Sequence, residues 1–275
     1  MQKSTKEVIM KQQGSSASKK QKVDNNEKDE KLQHEELLIR PNCVLLDPIQ
    51  PSILRQIDEF KDSYLQSHPF QHCCIRNFCV DGFLEQVLDE VKQNSKVKFK
   101  ESDLFRMYQS VDLGNLKEDS ELASKMPTLM QLKHALYSND FRSFMEQLTN
   151  LEPGTLIDKI DCAVNCHTTG CHLLCHDDVI GTRKISYILY LTDPTTPWRD
   201  EQGGMLELYE STIKDDDDTN QTSKRSKRVP AVFPCKTLLP TFNSLVLFVV
   251  TPGQSFHSVQ EVLGDSPRLS IQGGY

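Results

Sequence analysis

The sequence predicts a mainly β domain that is supported by helices in its N-terminal half. Its second half contains runs of strand length that are rich in β-branched and aromatic residues, or that alternate between apolar and polar side chains. The clearest runs are residues 185–191, 205–209, 245–250 and 268–271, with turn signals at 203–204 and 240–244. Helical spacing of apolar residues occurs upstream, at 52–60, 82–92 and 128–148, and we expect these helices to buttress the sheet.

Length and composition agree with a folded intracellular protein. The 275 residues are enough for one large or two small domains. Nine cysteines lack the spacing of a disulfide framework, and the N-terminus lacks the apolar core of a secretory signal. Because no apolar run approaches about 18 residues, no membrane span is expected. The net charge of −7 gives no overall attraction to nucleic acid, so none is expected as a required partner.

The N-terminal segment is predicted to be a disordered polar tail. Residues 1–36 are rich in Lys, Gln, Ser, Asn and Glu and contain few large apolar side chains, so they cannot bury a core. Within them, residues 18–23 resemble a nuclear-localisation signal, while a solvated basic tail is an equally good interpretation. We therefore predict a folded domain at 37–275 and a protein found in the nucleus and the cytoplasm.

A charged insertion interrupts the β region. Four aspartates at 215–218 are followed by a basic run at 224–228, and the opposed charge blocks predict a flexible loop over residues 211–232. A second nuclear signal or a contact with RNA or an RNA-containing assembly is the alternative interpretation of the basic run.

The residues His176-Asp177-Asp178 and the distant His257 form a candidate metal site. On a strand or at its end, residues i and i+2 point to the same side, so His176 and Asp178 can reach one ion. Asp177 then faces the other way. His257 completes two imidazoles and one carboxylate, the facial set that holds non-haem Fe(II) and leaves coordination positions open. His-x-Asp alone is a weak signal, and its strand context gives it weight.

Arg268 is a candidate anchor for a co-substrate. It follows His257 by eleven residues and begins the alternating run at 268–271. A planar guanidinium at this position can bind the far carboxylate of a dicarboxylic co-substrate through two parallel hydrogen bonds. Alone, such an arginine is more often a solvated residue of an edge strand, and its place after His257 favours the functional interpretation.

With these motifs in place, the sequence resembles the catalytic domain of the 2-oxoglutarate- and Fe(II)-dependent prolyl hydroxylases. The resemblance rests on residues 173–178, 188–191, 203–209, His257 and 268–271, with upstream agreement at 69–78 and 102–113. It runs from about Pro69 to Tyr275. Arginine at 268, where collagen-type enzymes usually have lysine, favours the branch of ribosomal prolyl 3-hydroxylases of eukaryotes and yeast.

The resemblance implies a fold, an activity and roles for residues. It implies a double-stranded β-helix, or jelly-roll, core that binds Fe(II) through His176, Asp178 and His257. Tyr190 and Arg268 would hold the distal carboxylate of 2-oxoglutarate, although Tyr190 alone reads as an ordinary tyrosine at the edge of the core. The implied activity uses O2 to hydroxylate a prolyl residue, at C3, of a small-subunit ribosomal protein, with release of succinate and CO2 and with ascorbate as a supporting reductant. Such an activity affects translation.

The chain also departs from the family pattern. The segment 162–172 is about two residues longer than its counterpart, and a tyrosine expected near its middle is not obvious, which puts one contact with co-substrate or substrate in doubt. The family carries a second, non-catalytic domain after the catalytic one, which we expect to be absent here. The sequence does not indicate the oligomeric state.

Two other classes of function stay open. The cluster from Cys162 to Cys175 contains four cysteines and two histidines, ligands that structural zinc prefers, so a zinc-stabilised interaction module is one alternative. Against it, the spacing lacks a paired C-x2-C, and cysteines in a strand also serve as small hydrophobic residues. A catalytically weak jelly-roll binding protein is the other alternative.

Overall fold

The computed structural model of the chain describes residues 47–215 and 226–275. Its strands are β1 (His72–Arg76), β2 (Lys98–Glu101), β3 (Phe105–Gln109), β4 (Asp161–His167), β5 (His172–His176), β6 (Ile185–Tyr190), β7 (Leu206–Leu208), β8 (Ser211–Asp215), β9 (Ser226–Pro230), β10 (Lys236–Leu238), β11 (Ser244–Val249), β12 (His257–Val259) and β13 (Arg268–Gly274). Within the described ranges, no helix has the length and apolar character needed to cross a membrane.

Among the described residues, six helices precede β4. They are α1 (Pro51–Arg55), α2 (Ile57–Leu65), α3 (Phe83–Asn94), α4 (Glu121–Ser124), α5 (Pro127–Leu136) and α6 (Asn139–Thr149), and short 3-10 turns lie at Leu113–Asn115 and Asp200–Gln202. The helical segment predicted at 128–148 is divided in two. The division follows from Ser138, whose hydroxyl accepts a hydrogen bond from Phe141 N at 3.0 Å and caps α6.

Apart from β8 and β9, which form a separate two-stranded ribbon, the described strands form one long antiparallel sheet that folds back on itself. Its order is β1-β11-β6-β13-β4-β3-β5-β12-β7-β10, with β2 attached to β3. The path bends at β3, which pairs with β4 through Tyr108 and Gln109 and with β5 through Phe105 and Arg106. Two layers result, one around β6 and β13 and the other around β5 and β12. The predicted mainly β architecture with supporting helices is confirmed.

Strand alternation gives the first layer two different faces. On β6, Tyr187 and Leu189 pack into the core shared with the helices, whereas Ile188 and Tyr190 point between the two layers. On β13, Leu269 and Ile271 belong to the helix-side core. Since side chains alternate, Arg268 and Ser270 lie on the same inner face as Tyr190. Burial on both faces explains why β6 reads as a continuous apolar run.

The charged insertion is partly ordered, which corrects the prediction of a loop over 211–232. The described arms of this segment are β8 and β9, which pair as an antiparallel ribbon with Thr212 opposite Val229 and Ile213 opposite Arg228. β-branched side chains in both arms favour the strand conformation despite the charges. Residues 216–225 lie outside the described ranges, as does the whole of 1–46 with the predicted tail and its basic run.

Candidate active site

Strand pairing brings the two candidate histidines side by side. His176 is the last residue of β5 and His257 the first residue of β12, and the two are direct partners in the antiparallel ladder. Their ring centroids lie 4.2 Å apart. The side chain of His257 is 5 % exposed and that of His176 is 16 % exposed, so the pair sits at the inner end of an opening and not on the surface.

Asp178 reaches the histidines through a backbone turn. Because β5 ends at His176, strand alternation alone does not aim its carboxylate. The φ angle of Asp178 is 58°, in the left-handed region that Asp adopts more readily than most residues. Oδ1 lies 3.0 Å from Nε2 of His176, and Oδ2 lies 3.7 Å from Nε2 of His257. One donor atom from each of the three residues lies within 4.8 Å of the others.

Backbone carbonyls orient both imidazoles. Nδ1 of His176 lies 2.8 Å from Leu174 O, and Nδ1 of His257 lies 2.8 Å from Ser255 O. With Nδ1 of each ring bound to a carbonyl, Nε2 of each ring faces Asp178 and is the nitrogen available to a metal.

The charges of this cluster follow from burial and contact. Burial and the charge of His176 lower the pKa of His257 to about 4, so this ring is neutral at neutral pH. Burial alone would raise the pKa of Asp178, but the hydrogen bond with His176 and the nearby rings hold it well below its usual range. The pKa of His176 is raised, since this hydrogen bond outweighs burial. A carboxylate beside a neutral imidazole is a suitable receptor for a divalent cation.

Neighbouring residues fix Asp178 and separate it from Asp177. Ser186 Oγ donates to Asp178 Oδ2 at 2.6 Å, and Nη1 of Arg183 lies 3.3 Å from the same oxygen. Asp177 turns away, and its Oδ2 accepts a hydrogen bond from Gly253 N at 3.0 Å. The backbone oxygen of Asp177 also accepts a hydrogen bond from the hydroxyl of Ser255. The expectation that Asp177 faces away from the metal candidates is confirmed, and the residue links the loop after β5 to the turn before His257.

The donor set fits Fe(II), and the cysteine cluster does not form a rival site in the described residues. Two neutral imidazole nitrogens and one carboxylate are the facial set typical of non-haem Fe(II). Cys162 and Cys166 instead pack in the helix-side core, where burial raises the pKa of each thiol to about 12. Zinc binds thiolates, which these environments disfavour.

Arg268 and Tyr190 form a second, buried polar group. Arg268 is fully buried, and its Nη2 contacts the Tyr190 hydroxyl at 3.4 Å, with the guanidinium carbon 5.1 Å from the ring centroid. Nε and Nη1 of this arginine find no hydrogen-bond partner in the described part of the chain. Burial lowers the pKa of Arg268, a sign that its charge lacks a counter-ion. A buried cation with free N–H groups is a receptor for a carboxylate.

Gly204 allows the chain to pass close to the arginine. A Cβ at Gly204, whose φ is +68°, would lie 3.2 Å from Cδ of Arg268 and 3.3 Å from Cζ2 of Trp198. Trp198 is held by a hydrogen bond from its Nε1 to Gly203 O at 2.8 Å. The turn signal at 203–204 therefore has a spatial reason at Gly204, since the backbone there approaches the stem of Arg268 closely.

A cavity of about 420 Å³ leads to the metal candidates. Polar side chains along it include Gln109, Asn165 and Gln272. Exposed apolar residues stand at its rim, namely Leu104, Val111 and Ile180. Arg268 and Tyr190 are fully buried and are not part of its lining.

Two residues near the polar groups, Ser186 and Arg183, were not singled out from the sequence, and a third, His167, was considered only as part of the candidate zinc cluster. Ser186 and Arg183 contact Asp178, as described above. His167, the last residue of β4, is fully buried beside Arg268. Strand alternation along 161–167 could have shown that His167 faces away from the helices, but no local signal shows that β4 pairs with β13.

Comparison with known proteins supports this picture. The profile described as 2OG-Fe(II) oxygenase superfamily matches residues 162–275. The prolyl 3,4-dihydroxylase OGFOD1 of Ostreococcus tauri is 41 % identical over 78 % of this chain, and the prolyl 3-hydroxylase OGFOD1 of Xenopus laevis is 37 % identical over 79 % of it. The chain spans about two fifths of the length of these relatives, 39 % and 37 % respectively.

Solved structures agree on the fold. A Trichoplax adhaerens prolyl hydroxylase in complex with a peptide fragment of the hypoxia inducible factor oxygen degradation domain has a TM-score of 0.56 at 16 % identity, covering 84 % of this chain and 94 % of that one. A Pseudomonas putida prolyl-4-hydroxylase has a TM-score of 0.51 at 15 % identity, covering 79 % and 97 %. These likenesses confirm the predicted jelly-roll core. The profile match shows that residues 162–275 belong to the 2OG-Fe(II) oxygenase superfamily.

Proposed function

We propose that this chain is an Fe(II)-, 2-oxoglutarate- and O2-dependent dioxygenase that hydroxylates a prolyl residue of a protein substrate. The observation that carries the proposal is that two binding groups of different chemistry lie on the inner faces of the same folded sheet. One is the cation receptor of His176, Asp178 and His257, and the other is the buried Arg268 with free N–H groups. Together they suit a metal and a dicarboxylate. The names of the relatives favour proline as the target.

Each residue has a role that its contacts support. His176, Asp178 and His257 would hold Fe(II) and leave positions open for the 2-oxo-acid end of the co-substrate and for O2. Bound iron supplies the oxidative chemistry, with succinate and CO2 as the co-product pair. Arg268 and Tyr190 would bind the distal carboxylate. Tyr190 accepts a hydrogen bond from Arg268, so its own proton is free to donate to that carboxylate.

The groove above the metal candidates suits a polypeptide substrate. Its exposed apolar rim can receive a pyrrolidine ring and its neighbours, and its amide side chains can bind the peptide backbone. By resemblance to the ribosomal branch, we propose C3 of a proline in a small-subunit ribosomal protein, a basic partner for a chain of net charge −7. Ascorbate as supporting reductant and a place in the nucleus and cytoplasm complete the proposal.

Metal analysis combined with a turnover assay tests the proposal. Protein purified without added metal is assayed for iron and zinc, then reconstituted with Fe(II) anaerobically. Succinate release and the gain of one oxygen atom by a prolyl peptide are then measured for the wild type and for His176→Ala. Turnover by the wild type and none by His176→Ala supports the proposed enzymatic activity. One tightly bound zinc without turnover would favour an interaction module, and 2-oxoglutarate binding without turnover would favour a catalytically weak jelly-roll binding protein.

A further inference from the structure

His167 is buried beside Arg268, and neither of its ring nitrogens has a hydrogen-bond partner among the described residues. The residue is fully buried, and Nδ1 and Nε2 make no hydrogen bond with any part of the chain that the structure describes. A neutral imidazole always carries one N–H donor and one acceptor. A buried donor left unpaired is costly, so a partner outside the described chain is expected here.

The register of β4 and β13 places this imidazole next to the arginine. His167 and Arg268 are direct cross-strand partners, and direct partners have neighbouring side chains. Cys166 packs in the helix-side core, so strand alternation turns His167 to the inner face, where Arg268 and Tyr190 also lie. Burial and the Arg268 charge lower the pKa of His167 well below its usual value, which leaves a neutral ring at neutral pH.

We infer that His167 is a positioning residue for the co-substrate, and that its ring N–H donates a hydrogen bond to the distal carboxylate bound by Arg268 and Tyr190. This inference rests on the proposed function and adds a third residue to the group that would bind the distal carboxylate.

Counting donors supports the assignment. A carboxylate offers about four lone-pair directions on its two oxygens. The inner face offers donors from three side chains, which are the guanidinium of Arg268, the Tyr190 hydroxyl and one N–H of His167. A water molecule could satisfy the imidazole, but it would leave the guanidinium charge without a counter-ion. One carboxylate serves both groups.

Binding measurements on inactive protein separate this role from a structural one. The full chain is loaded with Mn(II) in the absence of oxygen, and calorimetry gives the Kd of 2-oxoglutarate and of 2-oxobutanoate, which lacks the distal carboxylate. His167→Phe keeps the ring volume and removes the N–H. It should raise the Kd of 2-oxoglutarate about ten- to hundredfold, the range for one hydrogen bond to a charged group. The Kd of 2-oxobutanoate and the manganese content should not change.

Two amide variants identify the donating nitrogen. His167→Asn places an N–H close to the position of Nδ1, and His167→Gln places one close to that of Nε2, so one of the two should recover much of the lost affinity. His134→Gln, a change at an exposed histidine bonded to Glu118, is the control and should bind as the wild type does. If His167→Phe does not fold, the smaller apolar His167→Leu takes its place.

The outcomes distinguish the two levels of the proposal. Wild-type affinity for 2-oxoglutarate in the apolar variant would overturn the role of His167 and leave the proposed function intact. Equal loss of both 2-oxo acids would also overturn it, because the effect would not concern the distal carboxylate. Failure of the wild-type protein to bind 2-oxoglutarate would overturn the proposed function and this inference together.

Discussion

Replacing Arg268 by methionine should leave the ligand-free protein at least as stable as the wild type, but should weaken its binding of 2-oxoglutarate. Without an anion, the guanidinium is fully buried, Nε and Nη1 are unpaired, and its polar contact is Tyr190 at 3.4 Å. Each unpaired buried donor costs about 1–3 kcal/mol, so the two together disfavour the ligand-free folded state by roughly 2–6 kcal/mol. Arg268→Met keeps much of the side-chain volume and removes this cost. The free energy of unfolding of the ligand-free variant should therefore equal or exceed that of the wild type.

Binding of 2-oxoglutarate should show the reverse. In the Met variant the distal carboxylate would be desolvated without its partner, a loss of about 3–5 kcal/mol for a broken buried charge pair. The Kd should rise roughly 10²- to 10³-fold. Arg268→Lys keeps the charge but cannot form two parallel hydrogen bonds to the carboxylate. We expect its affinity for 2-oxoglutarate to fall on the order of tenfold. Arg268→Ala should bind as weakly as the Met variant and also unfold more easily, because it leaves a cavity.

Urea unfolding of the ligand-free variants and calorimetry on the Mn(II)-loaded, oxygen-free proteins test both directions, with metal content measured alongside. Metal content should be nearly unchanged in all three variants. Equal loss of metal would place Arg268 in the fold or around the metal and refute its co-substrate role. A Met variant that is several kcal/mol less stable without ligand would refute the claim that the buried charge lacks a partner.

Four further predictions concern three residues in or near the site and the basic run near the N-terminus. His176→Ala should abolish tight iron binding, measured by metal analysis, with little change in melting temperature; retained stoichiometric iron would exclude this residue as a ligand. Gly204→Ala should weaken 2-oxoglutarate binding while keeping iron, because the added Cβ meets Cδ of Arg268 and the φ of +68° is strained for alanine; unchanged affinity would mean that the loop yields. Asp177→Ala should cost about 1–3 kcal/mol of unfolding free energy through the unpaired Gly253 N–H, whereas Asp177→Asn, which keeps one acceptor oxygen, should cost less; equal stability of both variants and the wild type would contradict this. Replacing Lys19, Lys20 and Lys22 by alanine, all outside the described residues, should shift a fluorescent fusion toward the cytoplasm; an unchanged distribution would leave the run as a polar tail.

Much of the β region could be predicted because its strands carry local signals. The runs at 185–191 and 245–250 became β6 and β11 within a residue at each end, since burial on both faces leaves a continuous apolar pattern. The insertion at 211–232 was misjudged at its arms, because charge blocks outweighed the β-branched residues that pair there. The break between α5 and α6 was missed because Ser138, a capping residue, lies inside a long helical pattern.

The sequence by itself determined the chemical types available to the site. His-x-Asp, a later histidine and an arginine eleven residues beyond it are visible in the chain, and these residues in strand context were enough to predict a metal and a carboxylate anchor. Residue types and alternation are local properties, so they survive in a one-dimensional pattern.

Only the tertiary structure decided how these residues meet. The pairing of β5 with β12 sets His176 against His257, the left-handed backbone at Asp178 turns its carboxylate toward both, and the pairing of β4 with β13 places His167 beside Arg268. Whether a buried polar atom has a partner depends on every chain segment around it. The unpaired nitrogens of Arg268 and His167 result from non-local strand pairing and from burial by distant segments, so no local pattern in the sequence shows them.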